Sequence, residues 1–383
     1  MADRKRSIFE DVGDAPRETG KAPAKPLIDR ADPGARRAVR AWLMVLFAMV
    51  VVMVAVGGLT RLTDSGLSIT EWRPVTGALP PMSEAAWEAE LEKYRAIPEY
   101  RLQNEGMSMA EFKVIYWWEW GHRQLGRAIG LVWAVGLAGL LIARKVPAGW
   151  TGRLVLLGVL GGLQGAIGWW MVASGLTGDR VDVASYRLAV HLGLAFAILG
   201  LIAWYVLLLG RSESALMTAR RGREARLFGV STGLMHFTMV QILIGALVAG
   251  IDAGRGFTDW PLMAGQVFPS AAFSIEPVWR NFFENPALVQ FIHRTAGYLL
   301  LAFAVVVWLR ARRSAHPGTR MAGHWMIGAM GVQVVLGVVT VVNAAAWQIA
   351  IVHQLGAVAL WTLVIALRFR ALYPGASTLK AAA

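Results

Sequence analysis

Eight separate runs of about 20 apolar residues punctuate this chain, and that is the length an α-helix needs to cross ~30 Å of hydrocarbon. They fall at residues 38–58, 123–143, 154–174, 188–209, 227–250, 289–309, 322–342 and 349–369. Of the 383 residues 56% are hydrophobic and only 16% charged, against about 25% charge in soluble domains. The sequence therefore predicts an all-α integral membrane protein with eight transmembrane helices.

A formal net charge of +13 could signal nucleic-acid binding, but its placement points to topology instead. Twenty-five of the 38 Lys and Arg residues lie in the N-terminal tail, the segments 144–153, 210–226 and 310–320, the C-terminal tail, or (Arg40, Arg368 and Arg370) at the helix ends beside the tails, whereas 16 of the 25 acidic residues lie in the alternate segments. That asymmetry is the positive-inside pattern, which places both termini in the cytoplasm; an even number of crossings requires the same. Nucleic acid is not expected as a partner; the lipid bilayer is. Residues 1–37 are polar, rich in Pro and Gly, and expected to be disordered. Their acidic residues argue against a mitochondrial transit peptide, and no cleavable signal is expected, so a bacterial inner membrane fits best. The chain has no cysteine, which excludes disulfides, thiolate ligands, iron–sulfur clusters and covalently attached haem.

Divided near residue 220, the chain shows one design twice. Helix 2 begins His122-Arg123-Gln124-Leu125-Gly126 and helix 6 begins His293-Arg294-Thr295-Ala296-Gly297. His191 and His353 hold matching places in helices 4 and 8, and Gln164…Gly168, Gln333…Gly337 and Gln241…Gly245 repeat a Gln with Gly one turn later. Two pseudo-symmetric four-helix bundles, related in parallel, explain this. The expected organisation is a cytoplasmic tail (1–37), an N-terminal bundle with a long external loop at 59–121 (38–210), a cytoplasmic linker (211–226), a C-terminal bundle (227–370) and a second cytoplasmic tail (371–383). An amphipathic helical stretch is expected near 83–94 of the long loop.

Ionisable residues inside a span are costly and mark functional sites. His122, His191, His293 and His353 are each expected near the outer start of an even-numbered helix, at matched positions. One imidazole from each of two facing helices would suit a haem iron, which accepts imidazole axially. Zinc or copper would ask for more ligands. Two sites follow, one in each half, although the sequence alone leaves the pairing open. His236 is expected to pack or bond locally, and His316 and His324 to be interfacial polar residues.

One carboxylate breaks the symmetry. Glu119 lies three residues before His122, on the same helix face if the helix starts early, while the equivalent residue before His293 is the neutral Gln290. Arg123, Arg127 and Arg294 stand within two turns of the histidines, and their guanidinium forks match haem propionates; loop acids and lipid phosphate are alternative partners, as is Arg123 for Glu119.

These residues together resemble a known family, the haem A synthases. The resemblance covers residues 38–370. It rests on Gly57-Gly58-Leu59-Thr60-Arg61-Leu62-Thr63-Asp64-Ser65-Gly66-Leu67-Ser68, on Glu71-Trp72 and Pro74-Val75-Thr76-Gly77, on Glu119-Trp120-Gly121-His122-Arg123, and on the His191, His293-Arg294 and His353 segments. The chain is similar to the alphaproteobacterial and mitochondrial form, which lacks the external-loop cysteine pair. The resemblance implies an oxidoreductase that oxidises the C8 methyl of haem O to a formyl group by successive hydroxylations with oxygen from water. It further implies that His122 and His191 hold the substrate haem, that His293 and His353 hold a resident haem b that carries electrons, and that Glu119 is catalytic. Haem O synthase, cytochrome oxidase assembly factors and an electron acceptor are the implied partners, and a homo-oligomer is compatible. The competing reading is a di-haem b-type cytochrome that only exchanges electrons with quinone; a transporter is weaker, because no helix pair is short or broken by Pro.

Overall fold

A computed structural model of the chain describes residues 33–178 and 180–375. Eight helices are long and apolar enough to cross a membrane: α1 (Pro33–Leu62), α2 (Met109–Ile142), α3 (Thr151–Val172), α4 (Ser185–Leu209), α5 (Ala225–Gly250), α6 (Pro286–Ala311), α7 (Pro317–Val342) and α8 (Trp347–Leu372). No strand forms among the described residues. Residues 1–32 and 376–383, most of the two expected tails, lie outside the described residues.

Several boundaries differ from the sequence expectation for local reasons. α1 begins at Pro33, whose fixed φ suits a first helical turn, so residues 33–37 are helical. α2 starts at Met109, well before residue 123, because Ser108 and Glu111 form a capping box: the Ser108 side chain accepts from the Glu111 N–H while the Glu111 carboxylate accepts from the Ser108 N–H. Part of the expected linker 211–226 is the helix Glu213–Arg221, capped by Ser212. Within the segment between α1 and α2, Ser83 caps the helix Glu84–Arg95, and Pro98 opens the short helix Pro98–Gln103.

α1 packs on α2 and α4, and α3 completes a ring with α2 and α4; α5 packs on α6 and α8, and α7 completes the equivalent ring. α1, α4, α5 and α8 meet between the rings. The largest core cluster lies at that junction, with Leu43, Leu46 and Val50 of α1, Phe196, Leu199 and Ile202 of α4, and Trp361 and Ile365 of α8. The rings are not equally tight. α7 packs closely on α6, whereas α3 packs only lightly on α2.

Tryptophans wedge the helices together where a glycine admits them. Trp42 lies on Gly136 and donates to the Val132 carbonyl (3.1 Å), Trp133 lies on Gly158 and donates to Leu154 (2.9 Å), and Trp361 lies on Gly200 and donates to Phe196 (2.9 Å). In each case the apolar ring fills the gap left by the missing Cβ while the indole N–H finds the acceptor that burial demands. At the end of the junction where α1 finishes, Arg61 of α1 pairs with Asp64 (3.0 Å), Asp252 (2.9 Å) and Asp182 (3.5 Å), tying the two halves together.

The segment between α1 and α2 folds into a cap over one end of the first ring. Its core is Leu67, Trp87, Leu91, Tyr94, Ile97, Phe112 and Tyr116. Glu99 is buried in this cap at 3% exposure, and its Oε2 has no hydrogen-bond partner. Burial pushes the Glu99 carboxyl up to about 8, with the charges of Glu119, Asp182 and Asp64 adding to the rise and Arg61 opposing it. The folded protein thus retains a proton that an unfolded chain releases near pH 4.3, so this residue lowers stability as pH rises from about 4.5 through 8. Glu99→Gln removes that titration. The thermal unfolding midpoint in detergent should fall between pH 6 and pH 9 in the parent and fall less in the variant; an equal fall in both would refute the assignment.

Candidate functional site

The four histidines stand inside the rings and not in the first turn of their helices, His122 more than three turns into α2 and the others about two turns into α4, α6 and α8. Each is half-buried, and each lies against a glycine of an adjacent helix. A Cβ placed on Gly57 would come within 3.0 Å of His122 Nε2, on Gly168 within 2.9 Å of His191 Cε1, on Gly245 within 3.0 Å of His293 Cε1, and on Gly337 within 3.2 Å of His353 Cε1. Such approaches are tighter than ordinary Cβ contacts, so the glycine gives the imidazole its room between the helices.

Three of the four seats also carry an amide one turn before the glycine. Gln164 Nε2 donates to the His191 carbonyl (2.9 Å) and lies 3.2 Å from its Nδ1. Gln241 Nε2 donates to the His293 carbonyl (2.9 Å) and lies 3.1 Å from its Nδ1. Gln333 Nε2 donates to the His353 carbonyl (2.9 Å). The Oε1 atoms of all three glutamines, and Nδ1 of His353, are buried without a partner. His122 and His191 stand on helices of one ring, and His293 and His353 on helices of the other.

This donor set suits a haem. Two neutral imidazoles per half match axial ligation of a planar macrocycle, the glycines leave room beside the rings, and glutamine amides lie within 3.1–3.2 Å of Nδ1 of His191 and His293. No group of three or more His, Cys, Asp or Glu residues that could hold a bare metal ion occurs among the described residues.

Around the first histidine of each half, the preceding loop is bolted to the helix in the same way. Arg123 donates to the carbonyls of Ile69 (2.7 Å) and Glu71 (3.0 Å); Arg294 donates to those of Phe257 (2.8 Å) and Asp259 (2.9 Å). Arg127 donates to the carbonyls of Arg73 and Pro74 (both 2.9 Å). The three arginines singled out from the sequence are therefore loop clamps, with Arg123 also bound to Glu119.

The matched position four residues before each clamp is where the halves diverge. Glu119 is 2% exposed, and its carboxylate accepts from Ser68 Oγ (2.7 Å), the Ile69 N–H (2.7 Å), Arg123 Nε (3.1 Å) and Arg123 Nη2 (2.6 Å). Gln290 instead donates to the Phe257 carbonyl (3.1 Å) and accepts from Arg294 (3.2 Å). One site holds a fixed negative charge and the other a neutral amide. Ser68 escaped the sequence reading as a partner of Glu119, although it ends the motif string that drew attention to this loop; nothing in a short hydroxyl residue announces a contact fifty positions away. Of the remaining histidines, His236 lies on an exposed face of α5, His316 precedes the first turn of α7, and His324 accepts from the Trp308 indole at 3.1 Å.

The sequence profile of the cytochrome oxidase assembly protein family COX15-CtaA matches residues 40–365. Among curated proteins, the haem A synthase of Ruegeria pomeroyi is 65% identical over 98% of this chain and 99% of its own length. The haem A synthase of Paracoccus denitrificans is 61% identical over 97% of both chains, and that of Cereibacter sphaeroides 59% identical over 99% of both. With its eight apolar helices, its paired histidines and a match that runs almost end to end, the chain belongs to the cytochrome oxidase assembly protein family.

Proposed function

We propose that this protein is a haem A synthase, an oxidoreductase of the bacterial inner membrane that converts the C8 methyl of haem O into the formyl group of haem A. The observation that carries the reading is the carboxylate of Glu119 beside only one of two otherwise matched histidine pairs. A protein that merely relays electrons has no use for that difference; a protein that reacts in one half and relays in the other does. Near-full-length similarity to proteins named haem A synthase supports the same reading.

In this reading the N-terminal half, residues 38–210, binds haem O through His122 and His191, and the C-terminal half, residues 227–370, holds haem b through His293 and His353. Haem b bound there supplies a one-electron carrier between the reaction and an external acceptor. Converting a methyl to a formyl group with one water releases four protons and four electrons, and the removal of electrons builds positive charge at the methyl carbon. Glu119 is suited to stabilise that charge. Four donors hold its oxygens in place, so the carboxylate is a preorganised negative charge in a site shielded from water. Arg123, Arg127 and Arg294 keep the outer loops seated and place positive charge near the propionates, on the periplasmic side. Haem O synthase and cytochrome oxidase assembly factors are the expected supplier and receiver.

Glu119→Gln keeps the shape and removes the charge. Haem A formation should fall about a hundredfold with haem binding retained, measured by chromatography and mass analysis of extracted haems; wild-type rates in this variant would sink the catalytic assignment. His293→Ala should cost about half of the bound haem while leaving haem O at the N-terminal site, read from the optical spectrum and the extracted haem inventory. Retention of the full haem complement would show that His293 is not a ligand.

A further inference from the structure

The glutamine seats divide the four histidines three against one. Gln164, Gln241 and Gln333 each lie four residues before the glycine that faces a histidine, and each amide is bonded to that histidine's carbonyl. Around His122 the same register on α1, four residues before Gly57, is Met53. Met53 lies on the same interface, since its Cε is 3.5 Å from a Cβ placed on Gly126 of α2. A thioether is at best a weak acceptor, and no hydrogen bond to the His122 ring forms among the described residues. His122 is held by shape alone.

A ligating imidazole ordinarily gives its second ring N–H to an acceptor, which fixes the ring's orientation and strengthens it as a ligand. The unpartnered Oε1 atoms of the three glutamines are buried beside the histidines that would need such an acceptor, and His353 Nδ1 is buried without one. Turning the amide about its last torsion would bring Oε1 to the ring nitrogen, in exchange for the bond that Nε2 donates to the histidine carbonyl.

We infer that Gln164, Gln241 and Gln333 are positioning residues that lock three of the four haem-ligating imidazoles, and that Met53 leaves His122 as the releasable ligand through which substrate enters and product leaves. This rests on the haem-binding reading proposed above. The division follows the needs of the two halves: a resident electron carrier is held at both ligands, His293 and His353, whereas a substrate is held firmly at one, His191, and exchanged at the other. The light packing of α3 on α2 leaves the N-terminal ring the more yielding of the two.

The test uses the full-length protein, purified in detergent with its haem, and follows haem transfer to excess apomyoglobin by absorbance. The parent should release haem in a fast and a slow phase, the fast phase carrying haem O or its oxidised products. Met53→Gln should slow the fast phase about tenfold and leave the slow one unchanged. Gln241→Met should accelerate the slow phase by a similar factor, and Gln241→Glu, which keeps an acceptor oxygen, should restore slow release. Electron paramagnetic resonance of the low-spin ferric signals, which report ligand strength and ring orientation, should shift for one haem only in each variant. A fast phase indifferent to Met53→Gln, or equal acceleration by Gln241→Met and Gln241→Glu, overturns the inference. A parent protein that carries no haem overturns the underlying reading as well, whereas low-spin haem with unresponsive release rates overturns this inference alone.

Discussion

A polar ring in the middle of a membrane protein needs both a void and a partner, and in this molecule a glycine provides the first at every one of four histidines. Gly57, Gly168, Gly245 and Gly337 let α1, α3, α5 and α7 come close to their histidine-bearing neighbours, because a Cβ there would crowd the imidazole at 2.9–3.2 Å. Helix spacing, ring placement and the room left between the helices thus follow from one repeated contact. The tryptophan wedges at Gly136, Gly158 and Gly200 use the same device for a structural end. In lipid, where apolar side chains gain little from meeting one another, such close backbone approach is a main source of helix association.

The loops before α2 and α6 depend on that arrangement in turn. Arg123 and Arg294 rise from the helices that carry His122 and His293 and fasten onto loop carbonyls in the same register, Ile69 and Glu71 on one side and Phe257 and Asp259 on the other. Onto this common frame the first half adds Ser68 and Glu119. The Ile69 main chain shows how small the change is: its N–H binds a carboxylate, whereas at the equivalent Phe257 it is the carbonyl that binds an amide. A reversal of hydrogen-bond polarity at one loop residue accompanies the appearance of a charge.

Much of this was legible in the residues. Long apolar runs identify spanning helices because nothing else satisfies the hydrocarbon, and the matched histidines, the Gln–Gly pairs and the contrast of Glu119 with Gln290 stand out once the repeat is seen. The start of α2 was not legible from hydropathy, since Glu111, Lys113 and Glu119 interrupt the apolar pattern; the Ser108…Glu111 capping box was the available signal. The arginine contacts were hidden for a different reason. Main-chain carbonyls accept them, and no side-chain pattern marks a carbonyl. Arg61 shows the same limit in long-range form, because its partners Asp182 and Asp252 come from distant segments brought together only by the fold.

The repeat also makes the protein its own reference. Each histidine of the first half has a counterpart in the same chain, the same detergent and the same sample, with a matching glycine, and His122 and His293 also share a matching clamp. A change of lipid, temperature or ionic strength reaches both halves at once and cancels in their ratio. What does not cancel is the contribution of the few residues that differ, so comparing the two halves of one molecule separates the chemistry of Glu119 and Met53 from the background that two proteins could never share.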